Sequence, residues 1–473
     1  MAVNKVVINE IVKLDLTQDT VTPETLLSGA TAHNAAGDWI VGKYKPVTLT
    51  GIAITTPPAK TTYNAGDTFD PAGMVVAATY SNGAKLVNPA YTVAPSGALP
   101  KGTTTITVTY SEGGATKTAT QAISVISINI YGVEWDWGNG NATRGVRTDD
   151  AAAFGDPSPA VNNGSGSSPF DNLMPWSGMV KETRSGGVEV KEPKYYFKWT
   201  KTGKKLKLQI ADGYVEGFSV DPVNRDRGDG LGELDYSYIG RYHCASDYKS
   251  TTGVAQKVSI TRSTARSGIH NLGSNFWQMD FAQFWYVNML FLVEFADWNG
   301  ERIGIGCSKS GSKMNNGQTD AMSYHTGTTA ASRDSYGFTQ YRNIEGWWDN
   351  VFDWMDGCYY NSNGLNVISN PNNFNDSANG TLVGKPSSGY PSDFTIPTAS
   401  GLEWALFPNT SEGSTTTYVP DIWNFSGRYP CLRHGGFCNQ YPYYGPFYVD
   451  YNSASDTSIG IGCRLQERPP KMA

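Results

Sequence analysis

Seven of the fifteen residues from Phe437 to Tyr451 are aromatic: Phe437, Tyr441, Tyr443, Tyr444, Phe447, Tyr448 and Tyr451. The whole chain is 12% aromatic, so about two would be expected in a window of this length. The run is not an apolar stretch, because Asn439, Gln440, Pro442, Gly445, Pro446 and Asp450 are interspersed in it. Tyrosines packed this closely suit a surface better than a core, since each buried hydroxyl needs a hydrogen-bond partner. The chemistry such residues offer is non-covalent recognition. Tyrosine gives a large rigid contact area for little lost rotamer freedom, and Asn and Gly supply adaptable polar contacts. The candidate ligand-binding residues are therefore Phe437, Asn439, Tyr441, Tyr443, Tyr444, Tyr448, Asp450 and Tyr451.

Signals for covalent chemistry are weak. The histidines, His33, His243, His270, His325 and His434, are far apart and in no HExxH-type spacing. No GxSxG or phosphate-binding loop is present. The acidic turn Asp226-Arg227-Gly228-Asp229-Gly230-Leu231-Gly232-Glu233 has the look of a loop that could hold calcium, but it lacks the spacing of an EF-hand and reads first as a solvated Gly-rich loop. Cys244, Cys307, Cys358, Cys431, Cys438 and Cys463 are scattered with no CxxC and read as reduced buried thiols, with a bridge such as Cys431–Cys438 left open. The expected protein is not an enzyme, and no catalytic residue, cofactor or metal ion is expected.

These residues need elements to hold them. A chain of 473 residues should contain more than one domain. It is rich in Gly and only 17% charged, as β-rich, loop-rich extracellular or virion proteins are. The net charge of -6 and the absence of a long basic run argue against nucleic acid as partner. The start, MAVNKVVINEIVKLDL, lacks the pattern of a signal peptide. The longest apolar stretch, Phe281–Val293, is interrupted by Gln283 and Asn288. It is too short for a bilayer and reads as a buried helix.

Three regions follow. Residues 1–45 carry a short helix signal at Pro23–Leu27 and a strand signal at Trp39–Tyr44, and are too few for a core of their own. In residues 46–126, Ile106, Val108 and Tyr110 alternate with threonines, and Gly113-Gly114 turns into a strand expected over Thr116–Val125. Another strand is expected at Met74–Tyr80, closed by Ser81-Asn82-Gly83. Residues 127–473 should hold two helices, about Ile260–Asn271 and Phe276–Ala296, among short strands and long loops. The pentapeptide Ile-Gly-Ile-Gly-Cys occurs at 303–307 and 459–463 and is expected to form small-residue strands.

Three resemblances attach to these regions. The TAHNAAGDWIVGKY pattern is similar to N-terminal segments of phage tail-fibre and adhesin-type proteins. Residues 54–86, with Tyr63, Gly66, Phe69-Asp70, Gly73-Met74 and Tyr80-Ser81-Asn82-Gly83 in order, resemble a bacterial Ig-like domain, usually a spacer. YGVEWDWGNG, MLFLVEFADWNG, IEGWWDNVFDWMDG and the terminal LRHGGFC…FYVDYNSAS…IGIGCRL resemble, in this order, the C-type-lectin-fold domain of phage tail adhesins, including those diversified by diversity-generating retroelements. The implied fold is multi-domain: an all-β Ig-like sandwich followed by an α+β C-type-lectin-like domain. The variable segment would be about 431–465, with Trp347, Trp348, Phe352 and Trp354 as packing residues.

The function this implies is that of a phage or prophage tail receptor-binding protein. Its partners would be a bacterial surface receptor, protein or glycan, and other tail proteins through the N-terminus. It would be a homotrimer, without nucleic acid or membrane insertion, assembled in the host bacterial cytoplasm and residing in the virion. One alternative is a non-binding virion structural protein whose aromatics fill an oligomer interface. Another is a formylglycine-generating-type oxidase. That family shares the fold but uses a pair of closely spaced cysteines, and here no second cysteine follows Cys438 before Cys463.

Overall fold

Most of the regular structure of this chain is β-strand. The computed structural model describes every residue except Met1, Lys101, 308–312, 426–429, 439–444 and 471–473. The chain divides into two compact units, Met1–Ser127 and Ile128–Ala473.

The first unit opens with the hairpin Lys5–Ile8/Ile11–Asp15, whose turn places Asn9 and Glu10 at positive φ. A second pair joins Thr31–His33 to Trp39–Val41. The helix expected at Pro23–Leu27 is instead one turn. The carbonyls of Pro23 and Leu26 accept the N–H groups of Lys43 and Tyr44 rather than continuing a helix. Val7, Ile8, Ile11, Val12, Leu14, Leu27, Trp39 and Tyr44 are exposed.

Residues 49–126 form two three-stranded sheets. Val75–Tyr80 lies between Leu49–Thr56 and Lys85–Val87, and Thr105–Glu112 between Ala115–Ala122 and Thr92–Ala94. Tyr63, Phe69, Met74, Val76, Leu99, Ile106 and Val108 fill the core. The strand expected over Thr116–Val125 is two strands. Ala115–Ala122 pairs with Thr105–Glu112, and Ser124–Ile126 then pairs in parallel with Thr62–Asn64. The chain changes partner at Ile123, which is buried.

The second unit is mostly β with two α-helices, α1 (Arg262–His270) and α2 (Phe281–Phe295). In α1 the Thr261 side chain accepts the Thr264 N–H as N-cap, and the buried Arg262 guanidinium donates to the Met355 and Cys358 carbonyls. Helix α2 is buried at every position. It is capped by Asp280, which accepts the Gln283 N–H and also receives Arg227 at 2.7 Å. The expected helix start at Phe276 is corrected: Phe276–Gln278 is a strand paired with Leu465–Glu467, close to the end of the chain.

That terminal strand lies inside a five-stranded sheet, between Tyr236–Gly240 and Phe276–Gln278. A four-stranded sheet runs Val449–Asn452, Cys431–His434, Phe352–Met355, Ile461–Gly462. Of the two Ile-Gly-Ile-Gly-Cys copies, only the second contributes a strand, Ile461–Gly462. The first follows the 3₁₀ turn Gly300–Arg302 and bends at Gly306, whose φ is 72°. Trp347, Trp348, Phe352 and Trp354 are buried, in keeping with a packing role.

Candidate functional site

The two strands that flank the aromatic run are antiparallel neighbours. Their register sets Cys431 opposite Asn452, Leu432 opposite Tyr451, Arg433 opposite Asp450 and His434 opposite Val449. Four of the candidate residues, Asn439, Tyr441, Tyr443 and Tyr444, lie outside the described residues. The described part of the run is a stem with two flanks.

The first flank leaves the sheet at Gly435, whose φ of +87° favours glycine. His434 is buried. Its Nδ1 donates to the Tyr448 carbonyl at 3.2 Å, joining the two flanks. Burial lowers the imidazole to about 4, so the ring is neutral at pH 7. Phe437 is half-buried against Gly460, where an added Cβ would sit 3.0 Å from its ring. The Cys438 N–H donates to the Asn350 carbonyl at 3.3 Å.

The second flank is held more tightly. Asp421 Oδ2 accepts the Phe447 N–H at 2.9 Å, and the same carboxylate accepts the Gly445 N–H. Burial pushes this carboxyl well above its usual range. A Cβ at Gly445 would lie 2.4 Å from both Asp421 oxygens, so only glycine fits. The Pro446 carbonyl accepts Asn288 Nδ2 at 2.7 Å, and Asn288 Oδ1 accepts the Trp347 indole N–H at 3.0 Å. Pro446 also presses on Gly300, where a Cβ would come within 2.1 Å of its ring. Phe447 is fully buried against Phe291 and Trp298.

Two candidate contact residues lie within the stem. Tyr448 is 3% exposed and stacks on Phe352 with ring centroids 5.9 Å apart, so it packs the stem rather than offering a contact face. Asp450 is half-buried and receives Arg433 Nη2 at 2.5 Å and Nε at 3.2 Å, which spends its carboxylate inside the sheet. The Arg433 guanidinium in turn lies 4.0 Å from the Phe352 ring centroid. Tyr451 is half-buried against the main core.

Asp421, Asn288, Asn350 and Gly300 are the supporting residues that sequence spacing did not reveal. Asn288 alone left a trace, as a polar interruption of the apolar stretch. A polar hollow adjoins the second flank. It is lined by Asn299, Glu301, Trp348, Asp421 and Gly445. Asn299 and Glu301 also border a second, larger pocket of about 550 Å³, with Asp297, Arg302, Arg333 and Asp334. Arg302 is held by Asp297 at 2.7 Å.

In the acidic turn, Asp229 Oδ2 accepts Arg468 Nε at 2.7 Å, Asp226 caps the Gly228 N–H, and Glu233 pairs with Lys194 at 3.0 Å. All six cysteines are buried free thiols. Cys307 and Cys438, far apart in sequence, both bond Asn350: its N–H donates to Cys307 Sγ at 3.1 Å and its Oδ1 accepts the Cys438 thiol at 3.7 Å.

Residues 56–125 match the bacterial Ig-like domain, group 3. This stretch of the chain is a bacterial Ig-like domain within a multi-domain, mostly β protein. A comparison with curated proteins finds no match.

Proposed function

We propose that the chain is a phage or prophage tail adhesin that binds a bacterial surface receptor through the segment between Cys438 and Gly445. Its second unit is a C-type-lectin-fold domain of the kind diversified by retroelements, and the Ig-like domain is a spacer. The role is binding, not turnover. The observation that carries this reading is the anchoring of both flanks by buried partners distant in sequence: Asn350 on one side, Asp421 and Asn288 on the other. A stem fixed independently of the residues it brackets lets those residues change while the backbone path at both ends holds. Asn439, Tyr441, Tyr443 and Tyr444 fall in that bracket. With Tyr448 and Asp450 committed to the stem, they carry the recognition.

Host-cell adsorption tests this. Replacing Tyr443 and Tyr444 by Ala should each cost about 2 kcal/mol, roughly thirtyfold in affinity, with unchanged thermal unfolding. Unaltered adsorption by both variants would remove the segment as receptor site and favour a structural role in the virion.

A further inference from the structure

Four of the six cysteines, dispersed over more than two hundred residues of sequence, come together in two pairs in the fold. Cys244 and Cys463 are adjacent, with the Cys244 N–H donating to the Cys463 carbonyl at 2.8 Å. Cys307 and Cys438 meet at Asn350, and Cys438 is near enough to help raise the Cys307 thiol. Both are organised by Asn350, whose N–H donates to Cys307 Sγ at 3.1 Å and whose Oδ1 accepts the Cys438 thiol at 3.7 Å. Cys307 closes the 303–307 turn, and Cys438 ends the first flank of the stem.

We propose that Cys307 and Cys438 are a disulfide-forming pair that ties the first flank of the aromatic segment to the 303–307 turn. The first flank is tied to Asn350 by the Cys438 N–H and thiol, the second to Asp421 and Asn288. A covalent link at Cys438 adds an anchor that does not open with those hydrogen bonds. The oxidant is a small disulfide such as oxidised glutathione. The Cys438 thiol loses its proton and its thiolate makes the first attack. A mixed disulfide forms and one glutathione leaves. Cys307 then loses its proton and attacks the Cys438 sulfur, expelling the second glutathione. Two cysteines lose two electrons, and the two released glutathione thiols take up the two protons. Burial pushes the Cys307 thiol well up, so exchange proceeds through local opening.

The test needs no variant and no receptor, so it stands apart from the proposed function. The full chain is equilibrated with oxidised glutathione at several urea concentrations below its unfolding midpoint, alkylated in denaturant and digested without reductant. The expected product is a cross-linked peptide joining Cys307 to Cys438, about 2 Da lighter than the two thiol peptides together. Recovery of both residues as alkylated or singly glutathionylated thiols at every urea concentration overturns the proposal, as does a Cys431–Cys438 link.

Discussion

Asp349 is fully buried, with Oδ2 accepting the Thr339 N–H at 2.9 Å and hydroxyl at 2.8 Å, while Oδ1 has no hydrogen-bond partner among the described residues. Desolvation raises this carboxyl from its ordinary 3.8 to about 7. Between those values the folded chain keeps a proton that the unfolded chain has lost, so this residue's contribution to stability falls as pH rises from 4 to 7. The span corresponds to about 4 kcal/mol. His434 works in the opposite sense. Its imidazole drops from 6.5 to about 4, so its contribution is lost as pH falls through that window. The wild-type profile sums both with other buried carboxyls such as Asp221 and Asp421, which are also raised, and Asp349→Asn isolates the part of Asp349. Its urea midpoint relative to wild type should climb steadily from pH 4 to pH 7. A difference that stays constant with pH would show Asp349 ionised throughout. Neither shift was legible in the sequence, because each depends on burial beneath strands contributed by distant residues.

Helix α2 links the core to the candidate site. Its sequence announces a buried helix, since Phe281, Trp285, Met289 and Leu292 recur at helical spacing and apolar residues fill the remaining faces. What the periodicity does not announce is its start. Phe276–Gln278 has the same apolar character but is claimed by the strand Leu465–Glu467, nearly two hundred residues away. The helix begins only where Asp280 caps it. Asn288, one of the polar residues on α2, holds both the Pro446 carbonyl and the Trp347 indole. Asn288→Leu would leave both groups buried and unpaired, at roughly 1–3 kcal/mol each. Chemical denaturation should show that loss. Adsorption should also fall beyond what the folded fraction explains, because the second flank is released. A variant with unchanged stability would mean that the two contacts contribute nothing.

At the scale of the molecule, the first 45 residues are the part least able to stand alone. Both faces of the Lys5–Ile8/Ile11–Asp15 hairpin carry exposed apolar side chains, with Val7, Ile8, Ile11 and Val12 each more than half exposed. Burying such surface is the main drive for association. A chain starting at residue 46 should therefore run as a monomer in analytical ultracentrifugation, while the full chain runs as a trimer. A full-length monomer would overturn the trimer. The sequence by itself determined the Ig-like domain, the β-rich character and the buried α2. Those features rest on local periodicity and on turn residues such as Gly113-Gly114. It also marked the aromatic run as the expected recognition surface, the reading carried into the proposed function. Only the tertiary structure decided which of those aromatics pack and which polar residues serve the stem. Tyr448 faces Phe352 and Asp450 faces Arg433 because of strand register. Asp421, Asn350 and Cys307 reach the site because strands and turns distant in sequence converge there, and long-range pairing of that kind leaves no spacing to read.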